Sequence, residues 1–135
     1  MSVASIMSRP VVTVELDDPL YLVKEIFDNA QFHHLLVVEK GKLFGVVSDR
    51  DLLKALSPNL GTAAEKSADL ATLNKKAHQI MSRHPVCINQ SEPMAKALDV
   101  FQNHRISCIP VLDDHHRPVG ILSWRDIFKA IRTSR

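Results

Sequence analysis

The sequence is short of the residues on which several classes of function depend. Its 135 residues include only four glycines, two cysteines, one tryptophan and one tyrosine. So few glycines leave no glycine-rich loop of the kind that cradles nucleotide phosphates. The formal net charge of +2 at pH 7 provides no broad basic surface, so we do not expect nucleic-acid binding. No apolar run approaches the roughly 20 residues of a membrane-spanning helix, so we expect no membrane segment.

The cysteines and histidines do not follow the spacings of metal sites. Cys87 and Cys108 stand alone in apolar runs, so we expect buried free thiols, which fit a reducing compartment. His33 and His34 are consecutive rather than one helical turn apart, as metal-binding histidines often are. We therefore predict no metal site. The first residues also lack a basic segment followed by an apolar one, which predicts a cytoplasmic protein.

The most informative feature is a pair of short sequence motifs, each of which occurs twice. Ile-Met-Ser-Arg at residues 6–9 recurs at residues 80–83, and residues 45–55 recur as residues 120–130. The second copy holds one more residue between these anchors. Repeated apolar residues alone could reflect packing, but Ser, Arg and Asp repeated at fixed spacing indicate two copies of one polar site.

Each copy predicts the order strand, helix, strand, strand, helix. In the first copy Val11–Val14 is a β-branched run, and an acidic turn with Pro19 precedes an amphipathic stretch typical of a helix. Leu35–Val38 has the continuous apolar character of a buried strand, and the closing helix is expected to begin near Asp49. The second copy follows the same order. We therefore predict an α/β (α+β) fold in which each repeat has a small sheet flanked by helices.

The two copies define the organisation of the chain. Repeat 1 is placed at residues 1–56 and repeat 2 at residues 78–135. The segment 57–77 between them has no counterpart in the other copy. It begins as a turn, and its alanine-rich part, residues 62–73, predicts a short linker helix.

The repeated polar residues permit two interpretations. Ser48 and Asp51 stand three apart where a buried strand turns into a helix, and Ser123 and Asp126 do the same. As a structural feature, a hydroxyl at the N-cap and an acid three residues later form a capping box. As a functional feature, a helix N-terminus attracts anions, and a carboxylate one turn in can accept ribose hydroxyls. The matching arginines of the two copies, which favour the functional interpretation, are Arg50 and Arg125.

Both copies resemble cystathionine β-synthase (CBS) domains, and the tandem arrangement resembles a free-standing Bateman module. The resemblance rests on the two Ile-Met-Ser-Arg openings, the run Asn103–Val111 and the two Gly-x-x-Ser-x-Arg-Asp closings. It implies two pseudo-twofold-related CBS repeats with two clefts between them. Such modules bind AMP, ADP, ATP, S-adenosylmethionine or NAD-type ligands, require no cofactor, catalyse nothing themselves and regulate a partner protein.

The resemblance also implies a set of ligand-binding residues. In the first copy Val12 lines the adenine pocket, His33 and His34 precede the strand that reads the base edge, Ser48 lies near phosphate and Asp51 binds ribose. The matching residues of the second copy, in the same roles, are Val86, Ser107, Cys108, Ser123 and Asp126.

One basic pair makes the two copies unequal. His104 and Arg105 resemble a pair that crosses to phosphates in the opposite cleft, and the first copy has Ala30 and Gln31 at those positions. A forked guanidinium forms strong charge-assisted bonds to phosphate. The cleft that holds Asp51 is therefore expected to bind phosphorylated adenosine more tightly.

The partners expected from this resemblance are a second copy and an unidentified regulated protein. The closing helices carry apolar faces that could pair two chains into a homodimer: Leu52, Leu53 and Leu56, and Ile127, Phe128 and Ile131. Trp124 could cap a ligand, lie at a subunit interface or be simply half-buried. A second interpretation of the whole chain is a ligand-free dimerisation or docking module, because His33 and His34 could obstruct the base position.

Overall fold

The computed structural model describes residues 1–9, 11–30 and 32–133. The elements in chain order are α1 (Val3–Ile6), β1 (Thr13–Glu15), α2 (Leu20–Asp28), β2 (His34–Glu39), β3 (Lys42–Ser48), α3 (Asp49–Ala55), α4 (Ser67–Ala71), a 3₁₀ turn (Thr72–Asn74), α5 (Ala77–Ile80), β4 (Ser82–Arg83), β5 (Ile88–Asn89), α6 (Met94–Asn103), β6 (Cys108–Leu112), β7 (Pro118–Ser123) and α7 (Trp124–Thr133). The predicted mixed fold and the order strand, helix, strand, strand, helix are confirmed in both halves. Gln31, one of the positions compared above, lies outside the described residues.

Two compact units divide the chain. The first, here called the Asp51 unit, comprises Val12–Lys40 and Phe44–His84. The second, here called the Asp126 unit, comprises Met1–Val11, Gly41–Leu43 and Pro85–Arg135. The opening segment of the chain therefore belongs to the unit formed mainly by the second half, so the sequence repeats and the compact units divide the chain at different residues.

The Asp51 unit is organised by a sheet with the strand order β1-β2-β3-β4. β1 runs parallel to β2, with Val14 opposite Val37, and β3 runs antiparallel to β4, with Gly45 opposite Arg83. Residues 35–38 of β2 are all buried, as their continuous apolar character predicts. The buried core of this unit consists of Val14, Leu20, Val23, Leu35, Val37, Val47, Leu52, Ala77 and Met81.

The Asp126 unit repeats this plan with the strand order β5-β6-β7. β5 runs parallel to β6, with Ile88 opposite Val111, and β6 runs antiparallel to β7. Pro93 is the N-cap of α6, where its missing N–H leaves no helical bond unmade. The buried core of this unit consists of Val3, Met7, Ile88, Ala97, Phe101, Ile109, Val111, Leu122 and Ile127.

Each repeated glycine is required by the repeated methionine of the other copy. A Cβ added at Gly120 would lie 2.7 Å from Cγ of Met7, and one added at Gly45 would lie 2.8 Å from Cγ of Met81. Each closing strand therefore needs glycine because the methionine of the other copy's opening segment packs directly on it. In each unit, therefore, the Ile-Met-Ser-Arg segment of one repeat packs on the closing strand of the other repeat.

The linker is less helical than its alanine content predicts. The helix covers only Ser67–Ala71, followed by the 3₁₀ turn, and the preceding residues form turns. The helix begins there because the Asp69 carboxylate accepts a hydrogen bond from the Lys66 backbone N–H at 2.8 Å. Residues before that cap form hydrogen bonds within turns instead. The Thr62 N–H, for example, donates to the Asn59 carbonyl at 3.1 Å. Helix propensity was outweighed by capping.

None of the helices within residues 1–9, 11–30 and 32–133 has the length and apolar character needed to cross a membrane.

Candidate functional site

The repeated Ser-x-x-Asp text forms the start of a helix in each unit. Ser48 is the N-cap of α3: its Oγ accepts from Asp51 N at 3.0 Å, and its N–H donates to Asp51 Oδ2 at 2.9 Å. At α7, Ser123 N donates to Asp126 Oδ2 at 2.9 Å, and Asp126 N donates to Ser123 Oγ at 3.4 Å. The capping interpretation is therefore confirmed for both serines. It leaves the functional interpretation open, because each cap uses only one carboxylate oxygen.

The remaining carboxylate oxygens differ between the two units. In the Asp126 unit, Ser8 Oγ donates to Asp126 Oδ1 at 2.7 Å, and Ser123 Oγ also donates to Oδ2 at 3.1 Å. In the Asp51 unit, no described residue donates to Asp51 Oδ1. Both oxygens of Asp126 are thus engaged within the protein, whereas Asp51 keeps one oxygen that can accept a ligand hydroxyl.

Ser82 is the counterpart of Ser8, and it shows that the repeated serine does not by itself produce a hydrogen bond to the aspartate of its unit. It stands in the second Ile-Met-Ser-Arg text where Ser8 stands in the first, and it pairs with Val46 as Ser8 pairs with Ile121. Nevertheless, no hydrogen bond joins the Ser82 hydroxyl to a described residue. Sequence reasoning did not identify Ser8 as a site residue. Its repetition among the polar residues of the motif was the available signal.

The two histidines of the Asp51 unit take different environments. His33 is exposed, and its Nδ1 lies 2.8 Å from Asp49 Oδ2, which lowers the pKa of the Asp49 carboxyl. His34 is half-buried, and burial lowers its pKa below the ordinary value, although the carboxylates of Asp49 and Asp51 act in the opposite direction. The structure therefore places His34, rather than His33, among the half-buried groups near the helix start, as expected for neighbours on a strand.

In the Asp126 unit, the residues that match His33 and His34 are Ser107 and Cys108. Cys108 lies opposite Ser123 in the β6–β7 ladder, and burial raises the pKa of its thiol to about 11. Burial also raises the pKa of Cys87. Both cysteines are free, as predicted, but each is half-buried rather than fully buried. Ser107, the residue before Cys108, is exposed.

The other candidate residues fall into an apolar and a basic group. Val12 and Val86 are half-buried at the start of their parallel strands, Val12 in the Asp51 unit and Val86 in the Asp126 unit. The Val12 carbonyl accepts from Leu36 N at 3.1 Å, which fixes it beside β2. The basic group is solvent-exposed throughout, and its members are Arg50, His104, Arg105 and Arg125.

In each unit a subset of the candidate residues lies at the start of the closing helix. The subset is His34, Ser48 and Asp51 in one unit and Cys108, Ser123 and Asp126 in the other. The Asp51 unit brings together the half-buried His34, the capping Ser48 and a carboxylate with an unused oxygen. The chemistry available there is hydrogen-bond acceptance by a carboxylate, which suits a ribose hydroxyl. The N–H groups of Asp49 and Asp51 already donate within the protein, to the His33 carbonyl at 2.9 Å and to Ser48 Oγ at 3.0 Å. No cluster of three or more His, Cys, Asp or Glu side chains within the described residues is arranged to hold a metal ion.

Comparison with known proteins identifies the family. The sequence model of the CBS domain matches residues 3–58 and 77–133. A CBS domain-containing protein of Dictyostelium discoideum is 31% identical over 93% of this chain and 87% of its own length. An L-aspartate semialdehyde sulfurtransferase of Methanocaldococcus jannaschii is 29% identical over 93% of this chain, but the chain spans only 22% of that enzyme.

Solved structures agree with this assignment. The CBS domain pair of protein MJ0100, in complex with 5′-methylthioadenosine and S-adenosyl-L-methionine, covers all of this chain with a TM-score of 0.77 and 26% identity, over 98% of its own length. CBSX2 in complex with AMP shares the fold, with a TM-score of 0.77 and 21% identity over 99% of this chain and 98% of its own. The two repeats, their polar closings and these matches show that the chain belongs to the CBS domain family, as a tandem pair.

Proposed function

We propose that this CBS pair binds an adenosine-containing ligand at the start of α3 and regulates a partner protein without catalysing a reaction itself. The observation that carries the proposal is the state of Asp51, whose Oδ2 completes the helix cap while Oδ1 receives no hydrogen bond from a described residue. A ribose that donates to Oδ1 therefore displaces no bond within the protein. The CBS pair of MJ0100, in complex with two adenosyl compounds, supports this ligand class.

The proposed roles follow from each residue's position. Asp51 accepts the ribose hydroxyls, Ser48 lies near phosphate or another polar group, and Val12 and His34 lie beside the base. The exposed side chain of Arg50 contributes positive charge for phosphorylated ligands. AMP, ADP, ATP, S-adenosylmethionine and NAD remain the candidates. We propose the matching set in the Asp126 unit as a second, weaker site.

The second site is proposed to be weaker because its carboxylate is already engaged. A ribose hydroxyl that approaches Asp126 Oδ1 has to replace the 2.7 Å bond from Ser8. A net hydrogen bond contributes about 0.5–1.5 kcal/mol, so this competition alone corresponds to roughly a two- to twelvefold difference in affinity.

Isothermal titration calorimetry with the five candidate ligands tests the proposal. The key variant is Asp51→Asn, because the amide oxygen can still accept from Ser48 N and keep the cap, while the negative charge for ribose is lost. The matched control is Asp69→Asn, because Asp69 caps α4 through the same type of bond, to Lys66 N at 2.8 Å. We expect Asp51→Asn to abolish high-affinity binding and Asp69→Asn to leave it unchanged. Equal effects of the two variants would contradict the proposal.

Regulation is proposed to act by a shift between two states of the pair. A ligand changes what a partner protein encounters only if it binds one state better than the other. Failure of every candidate ligand to bind purified, ligand-free protein would favour the docking-module interpretation instead.

A homodimer is the proposed assembly. Large apolar side chains on the closing helices are exposed, with Leu53 at 73% on α3 and Phe128 at 63% on α7. Phe128 stacks on the exposed Trp124, and contiguous exposed apolar surface of this kind marks an interaction site. Sedimentation velocity at micromolar concentration tests this assembly, and a monomeric mass would contradict it.

A further inference from the structure

The imidazole of His34 lies at the edge of the proposed adenosyl site. β2 begins at His34, and the next residues of the strand, 35–38, are buried. The His33 carbonyl accepts a hydrogen bond from Asp49 N at 2.9 Å, so the start of β2 is held beside the start of α3. His34 is half-buried there, whereas the side chain of His33 is exposed. A titratable side chain therefore lies where the base is proposed to bind.

The charged neighbours of His34 lie on α3 and next to it in the chain. The carboxylates of Asp49 and Asp51 favour its protonated form, and His33 opposes it. The side chain of Arg50, between the two carboxylates in the chain, is exposed. Burial is the largest of these influences, and the pKa of His34 lies below the ordinary histidine value. A charge added to this small group can therefore change the protonation of His34 in either direction.

The charged residues of the other elements around β2 lie away from His34. Glu15 of β1 is opposite Val38, near the other end of β2. Lys42, the charged residue of β3, stands next to the turn that follows β2 in the chain. α2 packs with Val37 in the buried core, on the face of β2 opposite that of His34. Within the described part of this unit, the start of α3 therefore supplies the carboxylates that act on the imidazole.

The matching place in the Asp126 unit holds a group of different chemistry. Cys108 stands there, opposite Ser123 in the β6–β7 ladder. Burial raises the pKa of its thiol to about 11, so the thiol stays uncharged at and below neutral pH. Of the two proposed sites, the Asp51 site is thus the one whose side chain at this place can gain a charge in mild acid.

We propose that the protonation state of His34 selects which adenosyl ligand the Asp51 site binds. This inference rests on the proposed adenosyl site and adds to it a dependence on pH. A phosphate near Ser48 brings negative charge to the helix start and stabilises the protonated imidazole, so AMP binds with uptake of a proton. A ligand without phosphate covers the imidazole with uncharged groups and destabilises the protonated form, so it binds with release of a proton.

The two kinds of ligand should therefore respond to His34 in opposite directions. Protonation of His34 as pH falls should strengthen the binding of AMP and weaken that of 5′-methylthioadenosine, which has adenine and ribose but no phosphate. A difference of one unit between the pKa of His34 in the free and the bound protein changes affinity by up to about tenfold. The phosphate of AMP also takes up a proton at about pH 6. This second change is the same in every variant, so the contribution of His34 is the difference from His34→Gln.

Isothermal titration calorimetry at pH 7.5 and 5.5 (about one unit either side of the ordinary histidine value) tests the inference. The parent protein is Asp126→Asn, in which only the Asp51 site remains, and circular dichroism verifies that each variant is folded at both pH values. The measured quantity is the Kd of 5′-methylthioadenosine divided by the Kd of AMP. On going to the lower pH, this ratio should rise at least about threefold more in the parent than with His34→Gln added.

Two further histidine variants serve as controls. His78 is also half-buried in the Asp51 unit and pairs with Asp17 at 3.6 Å, outside the proposed site. His78→Gln should keep the pH dependence of the ratio. His33→Gln should keep it as well, because the exposed imidazole of His33 is not the group that the ligand covers.

Titration in two buffers of different ionisation enthalpy counts the protons that move on binding. 5′-Methylthioadenosine should release protons from the parent, and His34→Gln should remove this release. If the ratio changes equally in the parent and in His34→Gln, or if His33→Gln removes the change, selection by His34 is wrong and the adenosyl site stands. Absence of binding by both ligands at both pH values would also overturn selection by His34. Titration with the five candidate ligands then decides separately whether the adenosyl site stands.

Discussion

Removal of the Ser8 hydroxyl should improve ligand binding at the Asp126 site. Ser8 Oγ donates to Asp126 Oδ1 at 2.7 Å, in competition with any ribose hydroxyl that needs the same oxygen. With a net value of about 0.5–1.5 kcal/mol for such a bond, Ser8→Ala should raise the affinity about two- to twelvefold. The same change should lower the free energy of unfolding by a similar amount, because the bond also stabilises the folded chain.

The assay isolates one site at a time. Ser8→Ala is made in the Asp51→Asn background, where only the Asp126 site remains, and AMP and S-adenosylmethionine are titrated by calorimetry. The matched control is Ser82→Ala in the Asp126→Asn background, because Ser82 holds the equivalent position and makes no bond to a described carboxylate. The control should leave affinity unchanged. A loss of affinity on Ser8→Ala would refute this reasoning, since it would make the hydroxyl part of the ligand site.

Three further predictions concern stability and reactivity. Gly120→Ala should destabilise the fold by about 1–3 kcal/mol in urea unfolding, because the new Cβ meets Met7. Gly45→Ala should cost more, because its Cβ also meets the Ser82 carbonyl oxygen at 2.9 Å, which cannot swing away; equal losses would contradict this packing. Burial lowers the pKa of His34, so the unfolded chain binds its proton first, and stability should fall as pH drops below 6.5. In His34→Gln, the urea midpoint should change less between pH 7.5 and pH 5.5 (about one unit either side of the ordinary histidine value) than it does in the wild-type chain. An equal change in the two proteins would count against the assignment of this pH dependence to His34. The raised pKa of Cys108, about 11, predicts slow alkylation of the native thiol at pH 8 (below the ordinary thiol value of about 8.5) and rapid alkylation after unfolding, whereas fast native labelling would show an accessible thiolate.

Local features of the fold were predictable from the sequence. The buried run Leu35–Val38, the order of elements in each half and the helix starts at Ser48 and Ser123 follow from apolar patterning and from a hydroxyl three residues before an acid. Each depends on residues close together in the chain, so a single stretch contains the information.

Long-range features were not predictable in the same way. The two openings carry the same Ile-Met-Ser-Arg text, so either could pack on either closing strand, and no local residue indicates that Met7 meets Gly120. The bond from Ser8 to Asp126 depends on that exchange and was missed with it. The difference at Asp49 and Trp124 was visible in the sequence. Its consequence required the positions of the surrounding rings: Trp124 packs on Phe101 in one unit, and a cavity of about 380 Å³ opens beside Phe27 in the other.

The central proposal, adenosyl ligand binding through Asp51, is tested most directly by thermal unfolding of protein shown to be ligand-free. AMP, ADP, ATP, S-adenosylmethionine and NAD are added separately, to the wild-type chain and to Asp51→Asn. A ligand present at about 100 times its Kd stabilises the folded state by about 2.7 kcal/mol, which raises Tm by several degrees for a domain of this size. We predict such a rise with at least one ligand for the wild-type chain and its loss in Asp51→Asn. An unchanged Tm with all five ligands, or a rise that survives in Asp51→Asn, would contradict the proposal.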